Sequence, residues 1–424
     1  MRLLALVLPA VALAGAAAFL LRPAPEIAPI DPPKAESFAA ELVERGEVLA
    51  RIGACEVCHT AEGGEPYAGG LALHTPFGKL YSTNLTPDAT TGIGRWSKDA
   101  FVRAMREGVG RDGSHLYPAF PYTHFAKAKD DDLGALYAFL MSLDAVQAPA
   151  KANELAFPFS QRALLAGWKM LFHDASARFQ PTAGKSEEWN LGAYHVQALG
   201  HCSACHTPRN ALGAEKADQI FAGGEVDGMH APAIGARAMP VMPWTTSAMV
   251  DYLIDGRHPH HAIAAGPMKP VVDQLAQVPE DIVQAMAVHL TDGLEEVKDE
   301  AKILEAAAKR DYVTGQPVAD PNSPLGKGEA VFAKSCANCH RAGNPNIPLA
   351  LTTSVVGPEL SALIRITLDG IQPPEGSPDK SMPKFASMSD EDLTHLVMWM
   401  RHRFAPEAKT GDVAAAVKAA RAFH

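Results

Sequence analysis

Apolar residues recur at three- and four-residue intervals in six stretches of the chain. The early member of each pair is "FAAELVERGEVLARIGA", "EEWNLGAYHVQALG" or "GKGEAVFAKS"; the late member is "KDDDLGALYAFLMSL", "PEDIVQAMAVHL" or "MSDEDLTHLVMWMRHRF". That spacing predicts amphipathic helices, and the acidic residues opening each late stretch suit the positive end of a helix dipole. Long alternating runs of the strand type are absent, so the expected fold class is all-α. Two further segments read as helical. In "NELAFPFSQRALLAGWKMLFHD", Leu164, Leu165, Trp168 and Leu171 predict a helix packed between modules, and the tail "DVAAAVKAARAF" predicts an exposed helix.

The N-terminus adds a different signal. After Met1 and Arg2 come 19 uncharged residues ending at Leu21, enough to span a bilayer as a helix and long for a signal peptide. Residues 1–22 are therefore expected to be a signal-anchor or a signal peptide, with export under either reading and a retained anchor preferred. Residues 23–37, rich in proline, read as a stiff spacer. The formal charge of -10 argues against a nucleic-acid partner, which is bound by neutralising phosphates with Lys and Arg.

The cysteines sharpen the picture. All six fall in Cys-x-x-Cys-His units: Cys55, Cys58 and His59; Cys202, Cys205 and His206; Cys336, Cys339 and His340. Zinc would need two further ligands near each pair, and no consistent set exists. A thioredoxin-like dithiol would follow a strand, whereas these follow helical text. Three disulfides would leave the three histidines unexplained. Covalent haem c accounts for every feature: two thioethers hold the porphyrin and the adjacent imidazole ligates iron. Three such haems, 147 and 134 residues apart, predict three cytochrome c-like domains in tandem at 38–150, 187–297 and 322–405, joined by linkers at 151–186 and 298–321 and followed by the 406–424 tail.

The chain resembles the triheme cytochrome c subunits of membrane-bound bacterial dehydrogenases, the partners of alcohol, gluconate and related oxidoreductases and of molybdenum hydroxylases such as nicotinate or aldehyde dehydrogenases. The resemblance is carried by "YSTNLTPDATTGIGRWSKDAFVRAMREGVGRDGSHLYPAFPYTHF", "LGHCSACHTPRNALGA" and "SMPKFASMSDEDL", and extends from about residue 38 to 405. "LYPAFPYTHF" is closer to the cytochromes of molybdenum hydroxylases than to those of quinoprotein alcohol dehydrogenases. The resemblance implies a dehydrogenase catalytic subunit as partner on the periplasmic side of the cell membrane. It also implies ubiquinone, a terminal oxidase or a soluble cytochrome as acceptor.

An electron-transfer haem takes a sixth ligand, commonly a methionine thioether. Met382, beside Pro383 and 42 residues after His340, is the candidate for the third module, with Met388 as rival; Met398 and Met400 read as helix packing. Met268, in a Gly-Pro turn 62 residues after His206, fits the second by its resemblance to the family's methionine loop, with His258, His260 and His261 as rivals. In the first module the family's methionine position holds Phe120, which cannot coordinate iron. His124 leads the replacements, ahead of His115, Met105 and Met141 or an open site. Tyr117, Trp96, Arg209, Asn210 and Trp244 are candidates for haem edges or propionates, and Pro208 and Gly213 for shaping the loop after His206. With the cysteines exhausted and no glycine-rich dinucleotide fingerprint, the residues point to an electron relay whose substrate chemistry sits on another subunit.

Overall fold

The computed structural model describes residues 24–296, 298–314, 320–344, 346–372 and 381–423. The 1–22 segment lies outside the described residues; among those described, no helix is long and apolar enough to cross a membrane. The residues form two compact units. One runs to Ala183 and takes in Tyr194–His201; the other comprises Gly184–Ala193 and Cys202 onward.

In the first unit, helices α1 (Ala40–Ile52), α2 (Cys55–Cys58), α3 (Lys98–Glu107), α4 (Tyr122–Phe125) and α5 (Asp130–Ser142) surround a core that includes Phe101, Leu133, Leu136, Leu140 and Met141. Ser97 starts α3 by accepting from the Ala100 amide, and Gly108, at φ +59°, ends it in the left-handed region. α1 and α5 cross on Gly46, where a Cβ would overlap the Ala135 carbonyl, so only glycine lets the two backbones meet. Asp132, 3% exposed, is satisfied by Arg45 at 2.5 Å and by the Tyr194 hydroxyl, which removes the penalty of an unpaired buried carboxylate. Strands β1 (Ala72–Thr75), β2 (Gly78–Tyr81) and β3 (Glu154–Leu155) form an antiparallel sheet with Ala72 opposite Tyr81 and Gly78 opposite Leu155. Helix α6 (Leu165–Phe172) follows the sheet.

The second unit repeats the glycine crossing twice. Gly192 on α7 (Glu187–Gln197) meets the Ala285 carbonyl, and Gly328 meets the His395 carbonyl. After the single turn α8 (Ser203–His206), β4 (Gly224–Val226) and β5 (Met229–Ala231) form a hairpin closed by Asp227 (φ +48°) and Gly228 (φ +69°), the two positive φ values a type I′ turn requires. Then come α9 (Thr246–Asp255), the short pair β6 (Arg257–His258) and β7 (Ala262–Ile263), α10 (Met268–Leu275) and α11 (Glu280–Thr291), which carries Ala285.

Helices α12 (Glu300–Ala308), α13 (Pro324–Ser335), α14 (Thr353–Val356), α15 (Ser361–Asp369), α16 (Asp390–Phe404) and α17 (Val413–Arg421) complete the unit; Gly328 lies on α13 and His395 on α16. Phe332, Trp399, Phe404 and Tyr312 pack edge-on or tilted against one another, Phe332 and Trp399 with centroids 4.6 Å apart.

Helices form at all six amphipathic stretches. The all-α expectation gives way to a mostly helical fold with, among the described residues, three small antiparallel sheets, whose strands are too short, at two to four residues, to show alternation. The tail is not an exposed helix: Val413, Val417 and Ala420 of α17 are buried in the same core as Phe332 and Trp399. Helix α6 forms, but Leu164, Met170 and Leu171 are exposed.

Candidate functional site: three thiol–imidazole turns

At the first motif, Cys55 and Cys58 open and close α2, and His59 follows as its C-cap. Ala54, at φ +45°, turns the chain from α1 into this helix. Two bonds fix His59. Its carbonyl accepts from the Gly69 amide at 2.7 Å, and its Nδ1 donates to the Thr83 carbonyl at 2.6 Å. The second motif reproduces both: the His206 carbonyl accepts from the Gly223 amide at 2.9 Å, and His206 Nδ1 donates to the Pro232 carbonyl at 2.6 Å. Each acceptor lies just after a strand, Thr83 two residues beyond β2 and Pro232 next after β5, so the hairpins position the carbonyls.

A carbonyl can only accept, so Nδ1 carries the proton and Nε2 keeps the lone pair that binds a metal. Burial holds the imidazoles of His59, His206 and His340 below the usual histidine range, opposed for the first two by these carbonyls. Burial also pushes the Cys55, Cys202 and Cys336 thiols up to about 12, each with an added contribution from its partner thiol. Such surroundings suit neutral sulfur, as in a thioether, and disfavour the thiolate that zinc requires. Among the described residues, no group of three or more His, Cys, Asp or Glu has a metal-holding arrangement. The donor set therefore fits haem c.

The candidate sixth ligands occupy distinct settings. Met268 is the first residue of α10. Two residues before it, Gly266 (φ +53°) lies against the Met229 sulfur, and Met229 begins β5, the strand that delivers Pro232 to His206. The imidazole partner and the Met268 loop are thus tied to one strand. Met382 pairs through both backbone bonds with Ile371, at 2.9 and 3.0 Å. Met388 and Met398 pack on the aromatic core, and Met400 is buried in it. His124, on α4 and 5% exposed, donates from Nδ1 to the Gln197 carbonyl at 3.3 Å, so its tautomer matches that of His59 and His206. Met105 and Met141 are buried in the first core, and His115 Nδ1 takes the Lys169 ammonium at 3.1 Å.

Several polar candidates turn inward to the protein. Arg209 donates to the Ala204 and Gly213 carbonyls, and the Asn210 side chain accepts from the Leu212 and Ala214 amides, so both brace the loop after His206. Gly213 takes φ +78° in that loop, and the Pro208 carbonyl accepts from the Lys216 amide. Tyr117 donates to the Phe159 carbonyl, the Trp96 carbonyl accepts from Tyr137, and Trp244 stacks on His261 at 3.7 Å. Sequence reasoning missed Thr83, Pro232 and Met229; the one available signal was the Asp-Gly turn ahead of Met229.

Comparison with known proteins agrees with this geometry. The cytochrome c family matches residues 43–144, and the family described as cytochrome c oxidase, cbb3-type, subunit III matches residues 323–400. The gluconate 2-dehydrogenase cytochrome c subunit of Pantoea cypripedii is 35% identical over 87% of this chain and 87% of its own length. The chain belongs to the family of dehydrogenase cytochrome c subunits. Within this family, the cytochrome c subunit of the quinone-dependent alcohol dehydrogenase of Gluconacetobacter polyoxogenes is 34% identical over 88% of the chain and 83% of its own length. A nicotinate dehydrogenase polypeptide of Pseudomonas putida is 46% identical over 90% of the chain, and the match spans only 32% of that longer relative. Covalent haem c and electron transfer follow for this dehydrogenase cytochrome subunit.

Proposed function

We propose that the chain carries three haems c in three tandem domains, 38–150, 187–297 and 322–405, and relays electrons from a dehydrogenase catalytic subunit to the respiratory chain. The observation that carries this reading is the thiol–thiol–imidazole turn with its Nδ1 held by a carbonyl, built alike at His59 and His206; His340 completes the third. Bound at these turns, haem c supplies a one-electron iron couple. The thiols hold its edge and the carbonyl-held imidazoles orient Nε2 toward the metal. Met268 and Met382 are the sixth ligands of the second and third sites. His124 is the candidate for the first, where Phe120 displaces the family's methionine.

The partner in this reading is a molybdenum hydroxylase, supported by the 46% identity to the nicotinate dehydrogenase polypeptide and by "LYPAFPYTHF". A second reading, a quinoprotein alcohol or flavoprotein sugar dehydrogenase, is favoured by the near full-length match to the gluconate and alcohol relatives. The relay faces the periplasm, held to the membrane by the 1–22 segment, with ubiquinone, a terminal oxidase or a soluble cytochrome as acceptor.

Mass spectrometry of the mature protein should show roughly 1.85 kDa above the processed polypeptide, the mass of three thioether-bound haems. One or two haem masses overturn the count. Copurification with a catalytic subunit, followed by substrate-driven haem reduction, tests the relay. Substrate oxidation by the isolated chain at the full rate of the complex overturns it.

A further inference from the structure

The first unit carries a surface that neither its core nor its haem turn uses. Twelve large hydrophobic residues are exposed among those described, and five of them, Phe157, Phe159, Leu164, Met170 and Leu171, fall within 15 consecutive residues. Phe157 is 83% exposed, Met170 66% and Leu171 70%. Such clustering marks an interaction site, whereas scattered apolar residues do not.

The segment is fixed in place. Phe159 packs on Phe77 at 4.5 Å and its carbonyl accepts from Tyr117; Arg162 donates to the His115 carbonyl at 2.9 Å. Lys169 donates to the Glu107 carbonyl at 2.6 Å and also to that of Gly108. Helix α6 thereby turns Leu165, Trp168, Lys169 and Phe172 partly inward and leaves Met170 and Leu171 outward, with Leu164 exposed just before it.

Two observations identify what covers this face. First, the chain departs beside it: the Ala24 carbonyl occupies the space a side chain at Gly113 would need, and the Ile27 amide donates to the Arg111 carbonyl. Gly113 is two residues from His115, whose carbonyl receives Arg162. The described residues thus begin, at Ala24, beside the rim to which the apolar segment is pinned, and the uncharged run Leu3–Leu21 precedes that point in the sequence. Second, residues 155–173 contain no Asp or Glu and Arg162 is exposed beside Leu164, so the segment brings no carboxylate of its own against anionic headgroups.

We propose that the 157–171 segment rests on the lipid bilayer, its exposed apolar side chains seated at the boundary of headgroups and acyl chains. This rests on the reading of the N-terminal run as a membrane anchor. The anchor and the segment together give two points of attachment and hold the first unit in one orientation on the membrane.

The test uses the full holoprotein with a photo-crosslinking phenylalanine analogue at position 171, or at Glu62 as the comparison, irradiated in native membranes. Lipid adducts at 171, at least about fivefold above position 62, are expected. With detergent-purified protein, the pair M170S and L171S should lower partition into phosphatidylethanolamine–phosphatidylglycerol vesicles about tenfold, with the haem spectrum unchanged. Adducts at 171 to another polypeptide overturn the proposal and make the face a protein-docking surface. Membrane-bound protein without adducts, or with unchanged partition of the pair, overturns it as well. Protein that washes from membranes without detergent overturns the anchor reading and the proposal together, an outcome distinct from the others.

Discussion

Gly46 on α1 lies directly against the Ala135 carbonyl of α5, with no room between them for a methyl group. The same relationship joins Gly192 to Ala285 and Gly328 to His395, each glycine eight to ten residues ahead of a Cys-x-x-Cys-His unit. The crossing sets the position of the helix that leads into the thiols, so stability and site geometry share one contact.

Gly46→Ala and Gly328→Ala should each destabilise the protein by about 3 kcal/mol through overpacking against backbone that cannot move aside. Gly167, where a Cβ would meet nothing within 4 Å, is the control; its alanine variant should be neutral or slightly stabilised. Chemical denaturation of the three holoproteins measures the differences. Equal midpoints would show that the crossings yield easily.

The pattern of iron ligands gives a second prediction. Low-temperature paramagnetic resonance and near-infrared spectra should show one bis-histidine haem beside two His–Met haems, and His124→Ala should alter only the first. Removing the sulfur with Met268→Ala or Met382→Ala should each abolish one His–Met signal. An imidazole in place of a thioether lowers the potential, so the His124-ligated haem should titrate lowest. Three His–Met signals in the native protein would refute the His124 assignment.

His195 supplies a pH dependence. It is 5% exposed, and burial brings its pKa down to about 4, with Lys129 and Arg45 pushing the same way and Asp132 opposing. Between the ordinary histidine value of about 6.5 and this lowered value, the unfolded chain binds a proton that the folded chain does not. Stability therefore falls as pH drops through that window, by up to about 3 kcal/mol. Urea unfolding of the wild type and His195→Gln from pH 7 to 4 should show a shallower slope for the variant; parallel curves would remove His195 as the cause.

The buried face of α17 gives a fourth. Val417, 1% exposed, sits in the core with Phe332 and Trp399. Val417→Asp should cost about 4 kcal/mol by placing an unpaired carboxylate there. Loss of near-ultraviolet dichroism at lower denaturant is the readout. Val417→Ala, at about 2 kcal/mol, separates packing from charge.

The Cys-x-x-Cys-His turns and six principal helices were legible because side-chain chemistry and three- to four-residue periodicity carry them. Thr83 and Pro232 were not, since each acts through a backbone carbonyl that any residue could supply. The strand pair leading to Pro232 was marked by Asp227–Gly228, yet its strands are three residues each, too short to alternate. The tail was misread because its inward stripe of Val413, Val417 and Ala420 is small and set among alanines. Arg209 and Asn210 read as candidates for haem edges or propionates, and the backbone groups of their own loop that they bond were not legible in the sequence.

In the proposed relay, the carbonyls behind His59 and His206 also bear on how fast charge can move. When the charge at a ligated iron changes by one, the surroundings must readjust, and that readjustment slows transfer in proportion to how far dipoles must turn. At His59 and His206 a peptide carbonyl just after a hairpin strand is already aimed at the ring. At these two sites the proposed relay thus meets an arriving or departing electron with a polar framework set in advance, so little of the driving force need be spent on rearrangement there.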